Sequence, residues 1–221
     1  MNIMIKRFDE VEGLYIKRIN GQDRYAYAMS DSEDLYDLEE WSERGGYPGS
    51  VIIFYDFENG KVYKPFEKKK NVIYGEPLDA AGQFYFLRAD YDAEKVTLFR
   101  YHPETVSEAV TEWNTGEVSL YNLRVIGEDV HVISQDGEIF NCYYPEKFSF
   151  SLNPDETVIL VSDDRVYIEA WTEEGWDDEN DRAGEDYRFY DRIIVKDHNG
   201  NILSEETGSL NQSPDGGWWI S

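Results

Sequence analysis

Apolar and polar residues alternate along most of this chain in short runs that end at turns. Residues 51–57 (VIIFYDF) run into Asn59-Gly60 and resume at 61–63 (KVY). Residues 192–196 (RIIVK) run into Asn199-Gly200 and resume at 201–203 (NIL). Asn-Gly between two such runs is the strongest short-range hairpin signal, because both residues adopt the positive φ that a tight hairpin turn needs. Residues 95–104 and 137–146 repeat the unit with other turn residues. The pattern predicts strands at 14–20, 24–29, 51–57 and 61–66. A second set falls at 72–75, 83–91, 95–101 and 109–113. A third falls at 118–126, 129–134, 138–144 and 147–152. A fourth falls at 157–162, 165–171, 188–197 and 201–206, and two more strands at 208–213 and 217–220. Helical spacing is confined to 31–47, where Leu35, Leu38 and Trp41 recur every three residues, Asp31 or Ser32 can cap, and Gly45-Gly46 ends the run.

The fourth set is interrupted. Residues 172–187 hold eight acidic residues, one Arg and Trp176, and they read as an acidic insertion that is mobile and open to a partner.

Second strands of successive sets begin near Arg24, Gln83, Asp129, Arg165 and Gly217, about 48 residues apart on average. A repeat of that length with four strands per unit resembles the β-propeller superfold. The resemblance implies five blades in a single all-β domain, 1–221. The WD-repeat signature is absent: Trp41, Trp113 and Trp171 are not followed by Asp, and no Gly-His pairs precede them. Residues 2–8, with Ile3 and Ile5 alternating, are expected to complete the last sheet beside 217–220 and remove its free edge. The alternative that fits the same strands is a two-sheet β-sandwich.

Charge narrows the partners. The chain carries 46 acidic and 21 basic side chains, a formal net charge of −25. That field repels phosphate backbones and anionic lipid surfaces, so nucleic acid and membrane are excluded as expected partners. Cationic partners, divalent metals and neutral ligands remain. Cys142 is alone, which forbids an intrachain disulfide and suits a reducing cytoplasm. Charges at Lys6, Arg7, Asp9 and Glu10 leave no apolar leader near the start, and no run approaches the roughly 18 apolar residues of a membrane helix. A cytoplasmic location is therefore expected.

Catalytic signatures are missing. His102, His131 and His198 are far apart in sequence, and Cys142 sits inside an aromatic run, as a packed thiol does. No P-loop, dinucleotide fingerprint or His-Glu-x-x-His occurs. A candidate metal set is Asp177, Glu179 and Asp181, whose alternate spacing imitates the start of a Ca²⁺ loop, although no Gly falls at the sixth position. Candidate ligand-facing aromatics are Trp176, in the polar insertion, and Trp218 and Trp219, which must face opposite sides of a strand. The expected function is a non-enzymatic module that presents loops 31–50 and 172–187 to a protein or peptide. The alternative is a carbohydrate-binding lectin-like module or a propeller-type glycoside hydrolase, the last needing two carboxylates flanking one bond.

Overall fold

The computed structural model describes residues 3–31, 34–37, 40–41, 44–177 and 179–221. The chain is all-β, with antiparallel sheets that follow one another along the sequence. The first sheet is β1 (Lys17–Arg18), β2 (Tyr25–Met29), β3 (Ile52–Asp56) and β4 (Val62–Tyr63), in that order. The second holds β5 (Val72–Tyr74), β6 (Leu78–Ala80), β7 (Gln83–Asp90), β8 (Lys95–Tyr101) and β9 (Glu108–Asn114). Here β5 and β6 share one edge of β7. The third is β10 (Arg124–Ile126), β11 (His131–Asp136), β12 (Ile139–Tyr144) and β13 (Phe148–Ser151). The fourth is β14 (Glu156–Ser162), β15 (Arg165–Asp177), β16 (Arg182–Asp197) and β17 (Ile202–Thr207). A last pair is β18 (Leu210–Gln212) and β19 (Trp218–Ile220).

These strands form two compact units, residues 1–125 with 213–217 and residues 126–212 with 218–221. In the first unit, strict alternation sorts the side chains. Ile52 and Phe54 of β3 join Tyr25, Tyr27, Phe84, Phe86, Phe99 and Tyr101 in a mostly aromatic core, where Phe54 stacks on Phe84 at 5.1 Å. Ile53 and Tyr55 point the other way and pack with Phe8, Leu14 and Ile16. The first sheet is thus covered on both faces, which is why its sequence reads as continuous apolar runs. Asp56 ends β3 fully buried and is held by Arg24, whose Nη2 lies 2.7 Å from Oδ2. Burial pushes the Asp56 carboxyl up, but the Arg24 guanidinium and the Glu58 amide outweigh it and hold the group below its ordinary value.

The second unit has an aliphatic core. Ile133, Phe140 and Cys142 of the third sheet meet Val158, Val161, Val166, Ile168 and Ile194 of the fourth. Gln135 bridges the sheets: its Nε2 donates to Glu156 O, and its Oε1 accepts from Val158 N. Glu156 is itself buried and accepts from Lys196 Nζ at 2.6 Å and Asn153 Nδ2 at 2.7 Å. Cys142 is packed in this core at 2% exposure, and burial pushes its thiol up to about 12.

Two expectations change. Residues 3–8 form no strand, and among the described residues β18 and β19 pair only with each other. The reason is local. Phe8 is spent on the first sheet, 4.9 Å from the Tyr55 ring and 5.5 Å from Phe57, and Asp9 N donates to Gly60 O. The expected helix over 31–47 falls partly on residues outside those described, Leu38 and Ser32 among them. Asp37, Glu40 and Trp41 are helical, Leu35 is buried, and Gly46 N closes on Trp41 O as a helix end requires.

Candidate functional site

The insertion is two paired strands. β14 stops pairing with β15 at Ala170, and β17 stops pairing with β16 at Arg192. Beyond these points β15 and β16 pair only with each other, through Thr172↔Tyr190, Glu173↔Phe189 and Glu174↔Arg188 to Asp177↔Arg182. At about 3.3 Å per residue the ribbon runs on for about 20 Å past its sheet. The acidic composition suggested a loop, but Thr172, Tyr187, Phe189 and Tyr190 are good strand residues and sustain the ladder.

Opposite residues of an antiparallel pair share a face, so the register assigns each side chain. One face carries Thr172, Glu174, Arg188 and Tyr190. Glu174 accepts from Arg188 Nε at 2.8 Å and Tyr190 Oη at 2.7 Å, and these bonds hold its pKa below the ordinary value. Arg192 Nε donates to Thr172 Oγ1. This face is a closed polar network.

The other face carries Trp171, Glu173, Tyr187 and Phe189. Simple alternation would put Trp176 with Glu174. A bulge between Glu174 and Trp176 turns it to the opposite side, where its ring meets Tyr187 at 5.8 Å. Gly175 makes the bulge possible: its φ is +75°, and a Cβ there would stand 2.7 Å from Asp186 O. The rings of Tyr187 and Phe189 are 6.5 Å apart. Trp171 is 50% exposed, Trp176 41% and Phe189 64%. An isolated two-stranded ribbon is marginal in water, and a row of exposed aromatics on one is an unusual surface.

The ribbon tip beyond this row is acidic. Glu179, Asp181, Glu185 and Asp186 make no hydrogen bond or ion pair among the described residues. Asp177 behaves differently. It accepts from Asn180 Nδ2 at 2.8 Å and pairs with Arg182 at 3.8 Å, so it closes the hairpin end. Asp181 has φ 50° in that turn. Among the described residues no group of three His, Cys, Asp or Glu could hold a metal ion, Asp177, Glu179 and Asp181 included.

The other aromatics lie apart. Trp218 pairs with Gln212 and Trp219 with Asn211. Trp218 is half-buried with its Nε1 sealed and unpartnered, while Trp219 is 68% exposed, as the alternation requires. No ring contact joins either to Trp176 among the described residues. The sequence pattern singles out Trp176; it places Trp171 and Phe189 in strands 165–171 and 188–197 without marking them as exposed, and leaves Tyr187 in the insertion. The available signal was the unbroken strand-like run 187–195 (YRFYDRIIV). The chain matches no family model, no curated protein and no solved structure.

Proposed function

We propose that this protein is a binding module whose β15–β16 ribbon docks a basic, extended segment of a protein partner. The single observation behind this is the exposed aromatic row formed by Trp171, Trp176, Tyr187 and Phe189. Arg and Lys side chains are drawn to aromatic faces, an attraction of about 0.5–2 kcal/mol each. The unpaired carboxylates of Glu179, Asp181, Glu185 and Asp186 supply the matching charge, and the net charge of −25 speeds the approach of a cation. A strand-like partner also has two ribbon edges on which to add.

The scaffold reading that accompanies this is a five-bladed β-propeller. Its support is that the first, third and fourth sheets are four-stranded meanders of consecutive strands, with second strands that begin at Tyr25, His131 and Arg165, and that the second sheet contains the run β7-β8-β9. A two-sheet sandwich would instead have strands cross between two large sheets.

The test is panning of a displayed 12-residue peptide library on the wild-type chain and on Trp176→Ala/Phe189→Ala. Arg- and Lys-rich peptides that bind the wild type and lose at least tenfold on the variant are expected. Peptides without basic residues, or binding indifferent to the variant, would sink the reading. Far-UV circular dichroism checks that the variant keeps its strands.

A further inference from the structure

A cavity of about 420 Å³ opens in the first unit between the N-terminal segment and the β3–β4 turn, within the size range of small-molecule sites. Lys6, Arg7 and Phe8 line one side, and Phe57, Glu58 and Gly60 line the other. Both sides are fixed. Phe8 packs on Tyr55 and Phe57, and Asp9 N donates to Gly60 O at 2.9 Å. In the turn, Gly60 N donates to Asp56 O and Glu58 N to Asp56 Oδ1, each at 2.8 Å. Asp56 is the buried carboxylate held by Arg24, so this wall rests on a core residue. Gly60 has φ +76°, which a side chain would strain, and a Cβ there would touch Arg7 O at 3.5 Å.

Charge sets this cavity apart. Most of the described Lys and Arg side chains pair with a carboxylate, as expected where 46 acids face 21 bases. Lys6 and Arg7 are adjacent and exposed, and neither makes an ion pair or hydrogen bond among the described residues. Glu58, the one acid among the described lining residues, is engaged by Arg24 Nε at 3.1 Å. Phe57 is 47% exposed, and its ring tilts onto Phe8 at 5.5 Å. The lining therefore combines accessible ring surface with two uncompensated positive charges.

We infer that this cavity is a binding site for a small aromatic carboxylate. The carboxylate accepts charge-assisted hydrogen bonds from Lys6 and Arg7. The ring lies against Phe57 and takes its exposed surface out of water. An inorganic or aliphatic anion would use only the cations and leave Phe57 wet. The net charge of −25 repels anions at long range. Salt screens that field beyond about 8 Å at physiological ionic strength, whereas Lys6 and Arg7 line the cavity itself. The charge preference is opposite to that of the ribbon, and the inference does not depend on the ribbon's role.

The test is calorimetric titration of the full chain with 1-naphthoate, beside 1-naphthylmethanol, 1-naphthylmethylammonium and acetate. Saturable one-to-one binding of naphthoate is expected, with each of the other three weaker by about tenfold or more, the worth of a charge-assisted contact. Lys6→Gln/Arg7→Gln alters two exposed, unpaired side chains and is expected to weaken naphthoate by about tenfold or more. Far-UV circular dichroism checks that it folds. Phe57→Ala, a second variant that leaves both cations in place, is expected to weaken naphthoate by about fivefold. Trp176→Ala/Phe189→Ala is expected to bind naphthoate as the wild type does. Absence of saturable binding overturns the assignment, and so does equal binding of the alcohol or the ammonium compound. Unchanged affinity in either folded cavity variant overturns it too. Loss of binding in the ribbon variant would put the ligand on the aromatic row instead.

Discussion

At the scale of single residues, the polar groups buried in the cores are the ones whose loss is felt. Glu156 and Lys196 are both almost wholly buried, and their ion pair joins β14 to β16 of the fourth sheet with Asn153 completing the carboxylate's bonds. Such a pair adds little net stability over an apolar one of the same shape. Removing one partner is another matter, because it strands a buried charge. Glu156→Gln is expected to cost about 3–5 kcal/mol, read as a lower urea midpoint at unchanged slope. A variant within about 0.5 kcal/mol of wild type would mean that Lys196 escapes to water. Arg24 and Asp56 make the corresponding pair in the first unit, but Arg24 is partly exposed and solvent weakens that attraction.

At the scale of elements, the ribbon shows how one glycine sets a surface. With ordinary alternation Trp176 would join the polar face, and the aromatic row would end at Tyr187. The bulge at Gly175 turns Trp176 back. A side chain there meets the Asp186 carbonyl at van der Waals overlap and must also hold φ +75°. Gly175→Ala is therefore expected to unpair the ribbon tip, exposing Trp176 further and shifting its emission to the red. Because the tip carries no core residue, the urea midpoint should move by less than about 1 kcal/mol in free-energy terms, as surface changes do. A large loss of global stability would mean that the ribbon is part of a core, which would also undermine its role as a docking element.

At the scale of the whole molecule, the N-terminal segment contributes through one residue. Ile3, Met4 and Ile5 are exposed, whereas Phe8 packs against Tyr55 and Phe57. Deleting residues 1–5 is expected to leave the melting temperature unchanged. Phe8→Ala is expected to cost about 1–3 kcal/mol, the value of burying part of an aromatic ring. The reverse order of effects would show that residues 3–5 have a partner of their own. No helix among the described residues is long and apolar enough to cross a membrane.

The sequence by itself determined the strands. Alternation and the turns at Asn59-Gly60 and Asn199-Gly200 located nearly every one, because those signals are local and need no knowledge of neighbours. It also determined that Trp218 and Trp219 face opposite ways, since a strand permits nothing else. Only the tertiary structure decided that residues 172–177 and 182–187 pair as a ribbon. Pairing across a turn depends on a partner strand, and the charge density of that stretch masks the strand propensity of its flanks. Only the tertiary structure decided which way Trp176 points, because a bulge reverses alternation at one residue. Residues 3–8 offered the same alternating pattern as a strand, yet the first sheet had an uncovered aromatic face that took up Phe8. The second unit's core was beyond sequence reading for a similar reason: Ile133, Val158 and Ile194 are far apart in the chain, and only the packing of two sheets brings them together.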